Sequence, residues 1–144
     1  MFTKNYYTDL FKVTEAQLQE LTATALKHGG DYCDLYFEHT TFFNLLLKDS
    51  IVSSGGFHTD FGVGIRVLKG EKTGYAYSEN TEMKDMLGAA KAASAIANGS
   101  SSARREYNPV DSRQHDLYPM KENWRDKGAN AFLPFLNNLE KAIL

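Results

Sequence analysis

Leu18, Leu21, Ala25 and Leu26 recur at the spacing of one helical face, and Thr14 with Gln17 has capping-box spacing. A helix is therefore predicted from about Thr14 to about His28, closed by Gly29 and Gly30, which accept the left-handed conformation of a C-terminal cap. The period then shortens to two. In DYCDLYFEHTT, Cys33, Leu35 and Phe37 fall on one face of a strand, and Tyr32, Asp34, Tyr36 and Glu38 fall on the other. The run FFNLLLKDSIVSSGGF splits at Lys48, Asp49 and Ser50 into the two arms of a hairpin, because Asp and Ser favour turns. Gly55 and Gly56 predict a bend or bulge before FGVGIRVL, where Val63, Ile65 and Val67 alternate with Gly64, Arg66 and Leu68. A tight turn near Lys69 to Lys72 leads to a last strand in which Tyr75 and Tyr77 share a face. From about Thr81 to Asn98 the helical period returns, with Met83, Met86, Leu87, Ala90 and Ala97 on one side and Asn98 and Gly99 as the stop.

Strands joined by such short links run antiparallel, and one apolar sheet face is satisfied by packing both amphipathic helices on it. The expected class is α+β, a two-layer antiparallel sheet with two helices packed on one face. The opposite face is then left to polar and aromatic groups such as Tyr32, Tyr36, Arg66, Tyr75 and Tyr77. After Gly99 the composition turns to Ser, Asn, Asp and Pro, which reads as an extended connector, with Asp116 to Pro119 as an added edge strand. Pro134 starts or kinks a short amphipathic helix that reaches Leu144 without a stop signal, which leads to the expectation of further sequence. The organisation expected is a tail at 1–13, the α+β domain at 14–120, and a connector with a short terminal helix at 121–144.

Composition narrows the function classes. A length of 144 residues with 42% hydrophobic and 24% charged positions fits one ordinary domain. The net charge of -2, with Arg104 and Arg105 the only compact basic pair, offers no electrostatic footprint for nucleic acid. No apolar run approaches the roughly 20 residues of a membrane span, and the start MFTKNYYTDLFKV lacks the pattern of a secretory signal. The single cysteine, Cys33, excludes an internal disulfide and fits a reducing compartment, so the cytoplasm is expected.

A search for chemistry finds little. His28, His39, His58 and His115 are scattered, and no pair has the spacing that places two imidazoles on one helical face for zinc. Cys33 points toward the predicted core, a poor position for a nucleophile. Gly62 and Gly64 lack the third glycine at a helix start that a dinucleotide site needs, because strand residues continue. Asp31 and Asp34 point in different directions and read as solvated charges. No catalytic or metal-ligating residue is expected in this chain.

The stretch Asp31 to Ser78 (DYCDLYFE, a hairpin with an acidic turn, then GVGIRVLKGEKTGYAYS) resembles the amino-terminal region of the TldD/PmbA family, formerly called modulators of DNA gyrase. Gly62 to Val67 and Gly70 to Ser78 are more similar to the TldD branch than to the TldE (PmbA) branch. The looser resemblance extends over most of residues 14 to 120. It implies a cytoplasmic zinc metallopeptidase in which a TldD subunit pairs with a TldE/PmbA-like subunit and cleaves unfolded peptides, including microcin precursors and antitoxins. In that family zinc is held by H-E-x-x-x-H and a distant cysteine, downstream of the region present here, so zinc is expected in a catalytic domain absent from this chain. The role implied for this segment is to help enclose substrate, with Arg66, Tyr75 and Tyr77 as substrate-binding residues. The alternative is a stand-alone, non-enzymatic module for peptide binding or assembly.

Overall fold

The computed structural model of the chain describes residues 7–97, 121–122 and 126–143. After a π-helical turn at Tyr7–Phe11, the elements are α1 (Glu15–Ala25), β1 (Tyr32–Lys48), β2 (Ile51–Lys69), β3 (Lys72–Ser78), α2 (Met83–Ile96) and α3 (Ala129–Ile143). They divide into two compact units. The first holds the described residues up to Thr40 and those from Asp60 to Ala97; the second holds Thr41 to Thr59 and the described residues beyond 120.

In the first unit α1 begins where the capping box predicts. Gln17 N–H donates to Thr14 Oγ1 (3.4 Å), and Thr14 N–H donates to Gln17 Oε1 (2.8 Å), so two otherwise orphaned donors are satisfied reciprocally. The helix ends at Ala25, and Gly29 takes the left-handed conformation (φ 87°) while its N–H donates to Leu26 O. β1, β2 and β3 lie in that order in one sheet, and β2 pairs antiparallel with β3 in the register Val63 with Ser78 through Lys69 with Lys72. Val63, Ile65 and Val67 are buried against Leu21, Ala25, Met86 and the alanines of α2. Each such side chain removed from water is worth about 1.5–3 kcal/mol. This is the expected α+β arrangement, with helices packed on one face of an antiparallel sheet.

Small side chains decide how α2 sits. Ala89, Ala90, Ala93 and Ala97 form its buried stripe, and Gly74 of β3 lies directly beneath it. A Cβ on Gly74 would run into the Ala93 carbonyl and stand 3.1 Å from Ala97 N, so helix and strand meet backbone to backbone. The core also extends further toward the amino terminus than the expected tail at 1–13. Phe11 and Val13 are buried, with the Phe11 ring centroid 5.1 Å from that of Phe37 and 5.3 Å from that of Phe61. An isolated Phe and Val outside any periodic run carry no local signal of burial, whereas the capping box at Thr14 is a local signal of a start.

The strands also differ from expectation. Instead of breaks after Thr41 and at Gly55 and Gly56, β1 and β2 run uninterrupted for 17 and 19 residues. Neither glycine has a positive φ, and the Leu45 side chain lies over Gly55, so the pair is held extended by its neighbour strand. The hairpin turn falls at Asp49 and Ser50 as predicted, both with positive φ, the pattern of a type I′ turn whose twist matches the strands.

In the second unit, hairpin and helix are joined by aromatic packing. Phe43 stands 4.6 Å from Phe57 and 5.3 Å from Phe132, Phe42 stacks on His58 at 4.4 Å, and Ser50 N–H donates to Glu140 Oε1 at 2.8 Å. Phe132, Leu136 and Glu140, spaced four apart, form the half-buried side of α3. Pro134 lies inside α3 rather than at its start, near enough to the amino end that it removes one ladder hydrogen bond without ending the helix. The edge strand expected at Asp116 to Pro119 lies outside the described residues, as do Asn98 and Gly99.

Candidate functional site

The sheet face turned away from α1 and α2 belongs to the first unit and carries the residues that alternation assigned to it. Tyr32 and Tyr36 of β1 and Tyr75 and Tyr77 of β3 are between 52% and 66% exposed, which is high for four large aromatics on one short sheet. Arg66 stands between them on β2, directly opposite Tyr75, and Gly64 stands opposite Tyr77. The Tyr75 ring lies diagonally over Gly64, close enough that a Cβ there would be 2.7 Å from the tyrosine hydroxyl. The three residues singled out from the sequence, Arg66, Tyr75 and Tyr77, are therefore brought together on one surface.

One partner was missed. Asp34 accepts from Arg66 through both carboxylate oxygens, Nε to Oδ1 at 2.8 Å and Nη2 to Oδ2 at 3.3 Å. This two-point contact fixes the guanidinium beside Asp34 and raises its pKa further, chiefly through the hydrogen bond and then through the charge of Asp34. Asp34 is thus not the solvated charge expected of it. Asp31 is exposed as expected, and its Oδ2 also accepts from Gly70 N–H at 2.9 Å and braces the β2–β3 loop. The available signal was opposite charge on the outer faces of two strands, but it points to a pair only once the register is known.

The result is a row across the sheet, Asp34, Arg66 and Tyr75, flanked by tyrosines. Such a surface can stack on apolar or planar groups and supply phenolic hydroxyls. Cys33, on the opposite side of β1 from this row, is half-buried against the core, and burial, with a smaller contribution from Asp34, pushes its thiol up to about 12. It stays protonated at neutral pH and is a poor ligand and nucleophile. Iodoacetamide at pH 8 is expected to label Cys33 in the folded chain at least about a hundredfold more slowly than in urea. Labelling at equal rates would show an open, ionisable thiol. Because the unfolded thiol ionises near 9.0 while the folded one does not, stability falls as pH rises from about 9 toward 12.

Among the described residues no group of three or more His, Cys, Asp and Glu comes together that could hold a metal ion. His28 is instead hydrogen-bonded through Nδ1 to the buried Ser94 Oγ (3.1 Å), and His39 and His58 pack against Phe61 and Phe42. No described helix is long and apolar enough to cross a membrane.

Fold and surface together define a two-layer α+β domain with one aromatic sheet face open. Comparison with known proteins shows what it is similar to: residues 33–97 match the family described as PmbA/TldA metallopeptidase domain 1. A protein named Metalloprotease TldD homolog from Haemophilus influenzae is 42% identical over 67 residues, covering 46% of this chain and 14% of that protein. Its namesake from Buchnera aphidicola subsp. Acyrthosiphon pisum is 37% identical over 79 residues, covering 55% and 16% respectively. Over residues 33–97 the chain is therefore similar to the amino-terminal domain of the TldD/PmbA family. The matched region spans only 14% to 16% of the length of these relatives.

Proposed function

We propose that this chain supplies the substrate-enclosing, non-catalytic part of a TldD-type metallopeptidase that acts on unfolded peptides in the cytoplasm. The observation carrying this reading is the open face built from Tyr32, Asp34, Tyr36, Arg66, Tyr75 and Tyr77, on a domain whose relatives are named metalloproteases. An exposed surface rich in Tyr with an oriented Arg is the composition of a protein-binding patch. The described residues do not fit a zinc site, so hydrolysis is assigned to zinc held by residues outside them, and no catalytic step is assigned to this face. A TldE/PmbA-like subunit is the expected protein partner and an unfolded peptide the expected substrate; nucleic acid and membrane are not partners in this reading.

The test joins this domain to the remainder of a TldD-type enzyme and replaces Arg66 and Tyr75 together by alanine. KM for an unfolded peptide is expected to rise about fivefold or more, with kcat within about twofold, because the face binds but does not react. Circular dichroism and the melting temperature verify that the variant folds. An unchanged KM removes the face from substrate binding and favours the alternative, a stand-alone assembly module.

A further inference from the structure

The glycines Gly62 and Gly64, which fit no nucleotide-binding loop, take their meaning from what stands on either side of them. Both occupy outward positions of β2, alternating with the buried Val63 and Ile65. Neither has room for a side chain. A Cβ on Gly62 would run into the Ser78 carbonyl, and one on Gly64 would stand 2.7 Å from the Tyr75 hydroxyl. The middle strand is therefore low at these two positions.

Two contacts set the register of β1 on β2. Asp34 bonds Arg66 on the outer face, and the His39 ring meets Phe61 edge-on at 5.7 Å on the inner face, both as opposed residues of one antiparallel ladder. The same register sets Tyr36 opposite Gly64 and Glu38 opposite Gly62. From the other side, β3 sets Tyr77 opposite Gly64, and the Cα of Glu79 lies 3.1 Å from where a Gly62 Cβ would stand. Two rows result: Tyr36, Gly64 and Tyr77, then Glu38, Gly62 and Glu79. Tyr36 and Tyr77 are 60% and 66% exposed. They stand on strands about 10 Å apart, which admits one planar group at van der Waals distance from both rings, over a floor of Gly64 and the Tyr75 ring.

Charge selects the group. Glu38 accepts from Thr40 Oγ1 at 3.0 Å, Glu79 is exposed, and neither is in an ion pair with a described residue. Arg66 is the single cation among the described outward residues of the sheet, and Asp34 already neutralises it. The tyrosine ring faces attract a cation through their quadrupoles, and the unmatched carboxylates attract it through their charge. A guanidinium is planar and donates from its edge, so it can stack in the first row while it bonds to the second.

We propose that Tyr36, Tyr77, Glu38 and Glu79 form a subsite for an arginine side chain of the peptide, with the guanidinium between the two rings and its N–H groups donating to the carboxylates. The inference rests on the reading of this domain as the substrate-enclosing part of a peptidase, and it gives the substrates a class: unfolded segments that carry arginine.

The probe is the pentapeptide acetyl-Gly-Ser-Arg-Ser-Gly-amide, titrated into the 144-residue chain and followed through the backbone amide resonances of Gly62 and Gly64. Replacing its arginine by citrulline, which keeps the shape and removes the charge, is expected to weaken binding about tenfold or more. Glu38→Gln with Glu79→Gln is expected to weaken binding of the arginine peptide about fivefold or more. Glu20→Gln with Glu71→Gln, an equal loss of charge elsewhere on the surface, is expected to leave it within about twofold. Circular dichroism verifies that each variant folds. Arginine and citrulline peptides that bind alike overturn the subsite and leave the face as a peptide surface without charge selection. Equal losses in the two pairs of glutamine variants reduce the effect to overall charge and overturn it as well. No shift with either peptide also overturns the subsite, and the KM measured on replacing Arg66 and Tyr75 then decides the peptidase reading by itself.

Discussion

Replacing Gly74 by alanine is expected to destabilise the chain by roughly 3 kcal/mol or more, read as a fall in the urea midpoint at unchanged slope. The new methyl would meet the Ala93 carbonyl and approach Ala97 N to 3.1 Å, and these are backbone atoms that no rotamer change can move. Relief requires α2 to lift from β3, opening the stripe of Ala89, Ala90 and Ala93 that now lies against the sheet. The control is Gly88, which lies within α2 with open space where its Cβ would stand. Gly88→Ala is expected to raise stability by up to about 1 kcal/mol, because alanine loses less conformational freedom on entering a helix. Two glycine-to-alanine changes of opposite sign would tie the cost to the helix–strand approach. Equal effects would show that α2 does not rest on Gly74.

Replacing Phe11 by alanine is expected to cost about 3–5 kcal/mol, the range for truncating a buried aromatic side chain. Its ring packs against those of Phe37 and Phe61, and the side chain is almost wholly buried. The cavity would sit where β1 and β2 meet the segment leading into α1. Because the whole stability of a small domain is about 5–15 kcal/mol, much of the chain is expected to be unfolded at 37 °C in this variant. A loss under about 1 kcal/mol by chemical denaturation would return the segment before Thr14 to the status of a tail.

The sequence alone determined what depends on near neighbours. The capping box at Thr14 and Gln17, the left-handed Gly29, the alternation of Val63, Ile65 and Val67, and the turn at Asp49 and Ser50 are all interactions within a few residues, and the structure forms each of them. From that alternation followed the sheet with helices on one face, and from its complement the exposed Arg66, Tyr75 and Tyr77. The family resemblance was legible for the same reason, since the stretch carrying it is one continuous run. Tertiary structure decided what depends on register and on distant contacts. Asp34 and Arg66 are 32 positions apart, and their pairing exists only because β1 and β2 align them. Gly74 carries no signal of the helix above it, Phe11 none of the rings around it, and Gly55 reads as a bend until Leu45 lies over it. The edge position of β3 is of the same kind: local pattern makes a strand, but only the order of strands decides that, among the described residues, β2 lies on one side of it and no strand on the other.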